Sequence, residues 1–362
     1  MPRNPAETPE SREPMKISIS DDSSRGKLDR RLSVAPMMDW TDRHCRYFLR
    51  GFSPRVLLYT EMITAAAIVH GDRRRLLAFD PEEHPVALQL GGSDPHELAV
   101  AARAGEEAGY DEINLNCGCP SDRVASGAFG ACLMRSPGRV AECVAAMRAT
   151  VRLPVTVKMR IGVVEGRGAQ AIAASRRFDD EDREALYRFI RAVRDAGCEA
   201  AIVHARKAVL GGLSPKDNRE VPPLRYDVVY EVRREFPALP VVLNGGLRAP
   251  GAILDALGAC DGVMLGREAY HRPSLLAQLH AAVFGAEPAP SPKRDELLER
   301  MARYAQRELA RGERLSAITR HMLGLKAGEP GAREFRRCLS EGARRPGAGA
   351  ELILEAAAWP AA

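Results

Sequence analysis

The 362-residue sequence predicts a parallel (β/α)8 barrel of the TIM-barrel class, followed by a small C-terminal all-α helical domain. Three observations carry this. Eight short apolar runs alternate with helical patterns, as the strand–helix units of a parallel sheet do. Each run ends in a polar group or a glycine turn, as barrel strands do where their C-terminal ends build a site. Past Tyr270 the alternation stops and amphipathic helical patterns take over. A doubly wound open sheet is the structural rival, but no Gly-x-Gly-x-x-Gly follows the first run.

The runs are Leu32–Met37, Val56–Ile63, Val86–Leu90, Glu112–Asn116, Val155–Met159, Ala200–His204, Val241–Leu243 and Gly262–Leu265. Helical patterns intervene at Pro95–Ala108, Gly138–Thr150, Asp180–Ala196, Tyr226–Glu235 and Ala249–Leu257. Gly109 and Gly197 stand where helix C-caps belong, just before a strand. Pro85, Pro154 and Pro240 precede strands. The run ends carry Pro36-Met37-Met38-Asp39, Glu61, Gln89, Asn116 with Cys119, Lys158 with Arg160, His204 with Arg206, Asn244-Gly245-Gly246, and Gly266-Arg267.

The barrel is expected over residues 31–284. Residues 1–30 are polar, rich in Pro, Ser and both charge signs, lack a signal-peptide apolar core, and read as a disordered tail. Gly285–Pro292 is a Pro-rich linker opening a helical unit over 285–345. That unit carries Leu297, Leu298, Met301, Tyr304, Ala305 and Leu309, then Ile318, Met322 and Leu323. Residues 346–362, rich in Gly and Ala, read as a weakly ordered tail.

Eight cysteines in a chain this long are not a disulfide framework, and no Cys-x-x-Cys pair or His partner at zinc spacing accompanies Cys117 and Cys119. No apolar run reaches the roughly 18 residues of a membrane span. The expectation is a cytoplasmic monomer with reduced thiols, no metal and no membrane contact. The formal charge is +5, and its excess is local: Ser291–Ala350 holds 14 Lys/Arg against 8 Asp/Glu. Such an excess is either a solvated helical face or a footprint for a phosphate backbone.

The strand ends suggest chemistry. Asn244-Gly245-Gly246 and Gly266-Arg267 follow the seventh and eighth runs, the usual phosphate site of these barrels. Glycine lets backbone N–H groups approach a phosphate, and a guanidinium suits one. Alone, Asn-Gly is also an ordinary turn. Lys158 lies on an otherwise apolar strand and needs a partner or a cavity, or else snorkels to solvent. A fixed cation there would ease negative charge on a bound ring such as a reduced flavin. His204 ends the next strand, where a packing role is the bland alternative. Gln89 could read a ring's donor–acceptor edge or cap a turn. Cys119, in Asn116-Cys117-Gly118-Cys119-Pro120, is the most specific candidate, because a thiol can act as a general acid. The intervening turn lets Cys117 and Cys119 point apart, so one thiol serves.

Taken together, these strings resemble the bacterial tRNA-dihydrouridine synthases, and most of all their A subfamily. The matching strings include Val34-Ala35-Pro36-Met37-Met38-Asp39, Leu88-Gln89-Leu90-Gly91-Gly92, Asn114–Ser121, Val157-Lys158-Met159-Arg160, Val203-His204-Ala205-Arg206, Asn244-Gly245-Gly246 and Leu265-Gly266-Arg267. Asn218–Leu224 and Thr319–Leu325 carry the A-type character. The resemblance spans residues 32 to about 340.

It implies an FMN-bound barrel with a helical tRNA-binding domain. NADPH would reduce FMN, hydride would pass from flavin N5 to C6 of a uracil, and Cys119 would protonate C5. Pro36, Met37, Met38, Gln89, Lys158, His204, Asn244, Gly245, Gly246, Gly266 and Arg267 would hold FMN. Asn116 would hold the uracil. Arg123, Lys216, Arg219, Arg333 and Arg336 would orient the tRNA, with U20 and U20a as targets. The loop Pro120–Ala131 is expected to close over the base. The segment Gly162–Asp182 departs from the family pattern by its length and adds Arg167, Arg176 and Arg177, which reads as a surface insertion. The rival is an FMN-dependent barrel reducing a small pyrimidine-like molecule, which needs no basic helical domain. A non-catalytic tRNA-binding barrel is disfavoured by the intact Cys119, Lys158 and His204.

Overall fold

The computed structural model describes residues 28–121, 129–285 and 293–358. In it the strands are β1 (Leu32–Val34), β2 (Leu57–Tyr59), β3 (Ile63–Thr64), β4 (Val86–Gly91), β5 (Glu112–Cys117), β6 (Val155–Arg160), β7 (Val163–Glu165), β8 (Ala201–His204), β9 (Ala208–Leu210), β10 (Val241–Asn244) and β11 (Gly262–Leu265). The order β1-β2-β4-β5-β6-β8-β10-β11 returns to β1 through parallel pairings throughout, so eight strands close a barrel. All eight predicted runs supply a barrel strand. The run Val56–Ile63 is broken, with β2 in the barrel and β3 pairing separately with the end of β4.

Side-chain parity divides the core in two. Residues of one parity face the helices and join the large outer cluster: Ile113, Leu115 and Cys117 on β5, and Val155, Val157 and Met159 on β6. The other parity fills the barrel interior, where Ala35, Leu57, Tyr59, Ala87, Ile202, Val242 and Met264 form a smaller cluster. On β5 and β6 that inward parity is polar: Glu112, Asn114 and Asn116, then Thr156, Lys158 and Arg160.

The predicted helices form at Pro95–Ala108, Pro137–Arg148, Asp180–Asp195, Tyr226–Glu235 and Pro250–Ala259. Their starts follow local chemistry. Asp94 accepts the Glu97 N–H, and Asp179 with Asp182 forms a reciprocal capping box. The helix Arg43–Arg50 was not anticipated, because its sequence is rich in arginine. Two of those arginines are buried. Arg46 Nε lies 2.6 Å from Glu83, and Arg50 donates to the carbonyls of Ser53, Glu83 and Pro85. The segment Gly162–Asp182 is more than a surface loop. It holds β7, which pairs with β9, and a helix over Gly168–Arg176.

The chain's last part is helical, over Arg294–Ala310, Leu315–Thr319, Ala332–Glu341 and Glu351–Ala358. Tyr304 stacks on Tyr47 at 4.0 Å, and its hydroxyl lies 2.7 Å from His44 Nδ1, fastening this unit to the helix Arg43–Arg50. The weakly ordered tail expected from 346 is corrected here. Glu351–Ala358 is a helix whose Ile353 and Ala356 are buried beside the helices Arg294–Ala310 and Ala332–Glu341. The Gly-Ala composition hid the apolar spacing of those two residues. No helix among the described residues is long and apolar enough to cross a membrane.

If that final helix is integral, Ile353→Ala removes a fully buried side chain. It should cost about 2–4 kcal/mol, read as a lower urea midpoint with an unchanged slope. An unchanged midpoint would mean that the helix adds nothing.

Candidate active site

Every polar strand end named above points to one mouth, because all eight barrel strands run in the same direction. Lys158 and Arg160 lie two residues apart on β6 and share its inward face. Lys158 Nζ donates to Asn244 Oδ1 across the barrel at 3.0 Å. Arg160 is 2% exposed and donates only to backbone oxygens, of Gly118 (3.0 Å), Lys207 (3.0 Å) and Asn218 (2.9 Å). Among the described residues no carboxylate pairs with either cation. Burial, and then the neighbouring Arg160 charge, lower the Lys158 pKa to about 7. Burial likewise lowers that of Arg160 to about 9. His204, aligned with Arg160 in the β6–β8 register, is held well below the usual imidazole range by burial and then by Arg160 and Lys158, so it is neutral.

The glycines hold this cluster in place. Gly245 has φ +119°, and a Cβ there would lie 2.6 Å from His204 Cδ2. Gly246 also has a positive φ, +67°. Tyr226 donates its hydroxyl to the Gly245 carbonyl at 2.6 Å, a contact the sequence did not suggest. Asn244 accepts from Lys158 and donates to the Met264 carbonyl at 2.8 Å. Gly266 is half-buried and opens the short helix Arg267–His271. Arg267 forms an ion pair with Glu220 at 2.9 Å, so its guanidinium is engaged. After β1, the Met37 N–H donates to Thr41, Pro36 is half-buried, and Met38 stands 56% exposed beside Asp39, whose φ is +64°.

The two thiols separate cleanly. Cys117 is fully buried on the outward face of β5, and burial pushes its thiol pKa far up. Cys119, past the strand end, is half-buried, and it interacts with the charges of Lys158, Arg160 and Arg219. Its turn is pinned on both sides. Asn116 Oδ1 accepts the Gly118 and Cys119 N–H groups at 3.0 Å each, and the Cys119 carbonyl accepts the Ala131 N–H at 2.9 Å.

Gln89 is 1% exposed, and both ends of its amide are occupied: Nε2 donates to Asn114 and Oε1 accepts from Asn116. Lys216 and Arg219 flank a short 3-10 turn at the mouth's rim and are exposed. Arg333 and Arg336 lie exposed on the helix Ala332–Glu341. Arg123 and most of the loop Pro120–Ala131 fall outside the described residues. Sequence reasoning missed Asn114, Thr156 and Glu112; the polar alternation along β5 was the available signal. Among the described residues no group of three or more His, Cys, Asp or Glu side chains is set to hold a metal ion.

A closed parallel barrel with a buried pair of basic side chains and a half-buried thiol at its mouth is an enzyme of the (β/α)8 class, with its site at the strand ends. The chain belongs to the dihydrouridine synthase family, whose model, described as "Dihydrouridine synthase (Dus)", matches residues 33–358. It is 58% identical over 327 residues to a "tRNA-dihydrouridine(20/20a) synthase" of Xanthomonas campestris pv. campestris, covering 90% of this chain and 92% of that one. Proteins of the same name from Vibrio cholerae (54%, covering 91% and 96%) and Pseudomonas aeruginosa (55%, covering 86% and 90%) are similar as well.

The depressed Lys158 pKa makes a stability prediction. In the unfolded chain the lysine keeps its proton to about pH 10.4, whereas in the folded, ligand-free protein it loses it near pH 7. Between those values the unfolded state binds more protons, so stability rises with pH. From about pH 7 to pH 9 the Lys158 contribution is about 2 kcal/mol. Lys158→Met should flatten that rise in urea denaturation; an identical slope would mean that the charge is not desolvated.

Proposed function

We propose that this protein reduces U20 and U20a in the D-loop of tRNA to 5,6-dihydrouridine, with FMN as its bound cofactor and NADPH as electron donor. It does so as a cytoplasmic monomer. The names of relatives more than half identical over some 90% of the chain support the substrate. The observation that carries the chemistry is the division of the two thiols, with Cys119 alone facing the cationic mouth.

The residues present fit an anionic, planar cofactor. Two desolvated basic groups lack a carboxylate among the described residues, glycine backbone borders them, and Met38 offers an apolar face. Pro36, Met37, Met38, Gln89, Lys158, His204, Asn244, Gly245, Gly246, Gly266 and Arg267 hold FMN in this reading. Arg267 exchanges Glu220 for phosphate, and Gln89 contributes its remaining amide hydrogen. When bound and reduced, FMN supplies the hydride taken up at C6 of the uracil. Cys119 gives its proton to C5. Lys158 and Arg160 supply positive charge to an anionic ring, and neutral His204 can donate a hydrogen bond without adding charge. Asn116 holds the edge of the uracil.

The base leaves the RNA stack to reach the mouth. Arg123, Lys216 and Arg219 at the barrel and Arg333 and Arg336 on the helical unit then contact tRNA phosphates, reading shape rather than sequence. The unit over 285–345 acts as the tRNA-binding domain.

Dihydrouridine mapping on tRNA from cells lacking this protein tests the reading. Dihydrouridine at U20 and U20a should vanish, return with the wild type and stay absent with Cys119→Ala. Loss at another uridine would refute the target, and no loss anywhere would favour a small pyrimidine-like substrate. For the rim, the pair Lys216→Ala and Arg219→Ala should raise the KM for tRNA and lower the salt slope of binding by about 2, with FMN content unchanged. An unchanged slope would remove both residues from the phosphate contacts.

A further inference from the structure

The inward face of β5 starts a polar column that crosses the barrel's core. At the floor, Arg30 Nε donates to Glu112 Oε2 at 2.6 Å. Glu112 Oε1 accepts from the Tyr59 hydroxyl at 2.5 Å and from the Thr156 hydroxyl at 2.6 Å. Thr156 Oγ1 accepts from Asn114 Nδ2 at 2.9 Å, and Asn114 Oδ1 from Gln89 Nε2 at 2.8 Å. Gln89 Oε1 accepts from Asn116 Nδ2 at 2.9 Å. Asn116 Oδ1 receives the N–H groups of Gly118 and Cys119. Glu112, Asn114 and Thr156 are 0% exposed and Gln89 is 1% exposed, so bulk water does not compete for these bonds.

The column has a direction, set at its floor. A carboxylate ion-paired with arginine has no hydrogen to give, so the Thr156 hydroxyl donates downward and must accept from above. That demand orients the amide of Asn114, then of Gln89, then of Asn116. A flipped Asn116 would turn its NH2 group toward two backbone N–H donors. Burial holds the Tyr59 phenol protonated, which keeps it a donor to Glu112. Elsewhere below the mouth this interior is apolar but for Ser33, as barrel interiors usually are. A half-satisfied polar network here would cost more than an apolar filling, whereas a satisfied one specifies a single arrangement; along this column Arg30 Nη2, at the floor, is the one buried polar side-chain atom without a partner among the described residues.

We propose that this column, from the Arg30–Glu112 pair through Thr156, Asn114 and Gln89, fixes the orientation of the Asn116 amide and so holds the Cys119 turn in its working position. Glu112, Thr156 and Asn114 are positioning residues. The proposal rests on Cys119 being the proton donor.

The test uses the full-length protein as purified, with tRNA, and the variants Thr156→Val, Thr156→Ser and Glu112→Gln. Valine keeps the shape of threonine and removes the hydroxyl; serine keeps the hydroxyl. Two readouts are taken. One is the rate of Cys119 alkylation by iodoacetamide, mapped by mass spectrometry against Cys132, also half-buried, in protein with and without its cofactor. The other is kcat and KM for tRNA. Thr156→Val and Glu112→Gln should shift the Cys119 rate relative to Cys132 and lower kcat by about tenfold, with KM unchanged. Thr156→Ser should restore both. The proposal is overturned if Thr156→Val matches the wild type in both readouts, or if Thr156→Ser is as defective as Thr156→Val. It is also overturned if kcat falls only as the folded fraction falls. Should Cys119→Ala retain full reduction of tRNA, the proton-donor assignment fails instead, and the alkylation ratio still judges the column.

Discussion

Two basic side chains held out of water, with no acid beside them among the described residues, set the terms for the rest of this molecule. Desolvating an ion costs several kcal/mol even after the protein relaxes. Among the described residues, Lys158 and Arg160 are not repaid by an ion pair. Arg160 is held by three carbonyl oxygens and Lys158 by one amide. Those partners come from the Cys119 turn, the segment after β8, the turn at Asn218, and β10. The cations therefore tie together the loops that form the mouth. Burial keeps His204 neutral, and these neighbours add to it, because a further charge in the same place would meet theirs without screening.

An ion pair sits at the barrel's other end, where Glu112 meets Arg30. Both ends of the inward β5–β6 face are thus polar, and the amides and hydroxyl between them join the two. Strand parity makes this possible. With a period of two, Glu112, Asn114 and Asn116 stay on one face while Ile113, Leu115 and Cys117 stay on the other. The same rule removes Cys117 from the mouth. Its sulfur belongs to the layer between barrel and helices, while Cys119 lies beyond the strand and escapes that parity.

The eight strands were legible because each is a short apolar run bounded by turn residues, and their tips because loop chemistry is local. What stayed hidden depends on partners distant in sequence. Arg46 and Arg50 make the helix Arg43–Arg50 look like a solvated stretch, until Glu83 and the carbonyls nearby are seen to take up their charges. Arg267 reads as a free phosphate ligand, and only the fold brings Glu220 to it. Gln89 looks like a reader of a ring's edge, yet the register Gln89↔Asn114 turns its amide into the barrel's own hydrogen bonding. The alternating polar residues of β5 were in plain view. They pass for the solvent face of an exposed strand unless closure of the sheet is taken to bury both faces.

The helical unit's attachment adds a further constraint on the site. Asp42, in the loop after β1, caps the helix Arg43–Arg50 through the Cys45 N–H. The same carboxylate accepts from Arg320 and from His321 Nε2. Burial works to raise the Asp42 pKa, but the hydrogen bond from His321 holds it below the usual carboxylate range. His321 Nδ1 meets the Tyr270 hydroxyl at 3.2 Å, and Tyr270 stacks on Trp40 at 4.4 Å. One carboxylate thus joins the loop carrying Met37 and Met38, the segment after β11, and the helical unit. Arg333 and Arg336 are carried by a unit whose position is set at the rim of the mouth itself. The spacing between the mouth and those two arginines is therefore tied to Asp42, Arg320 and His321.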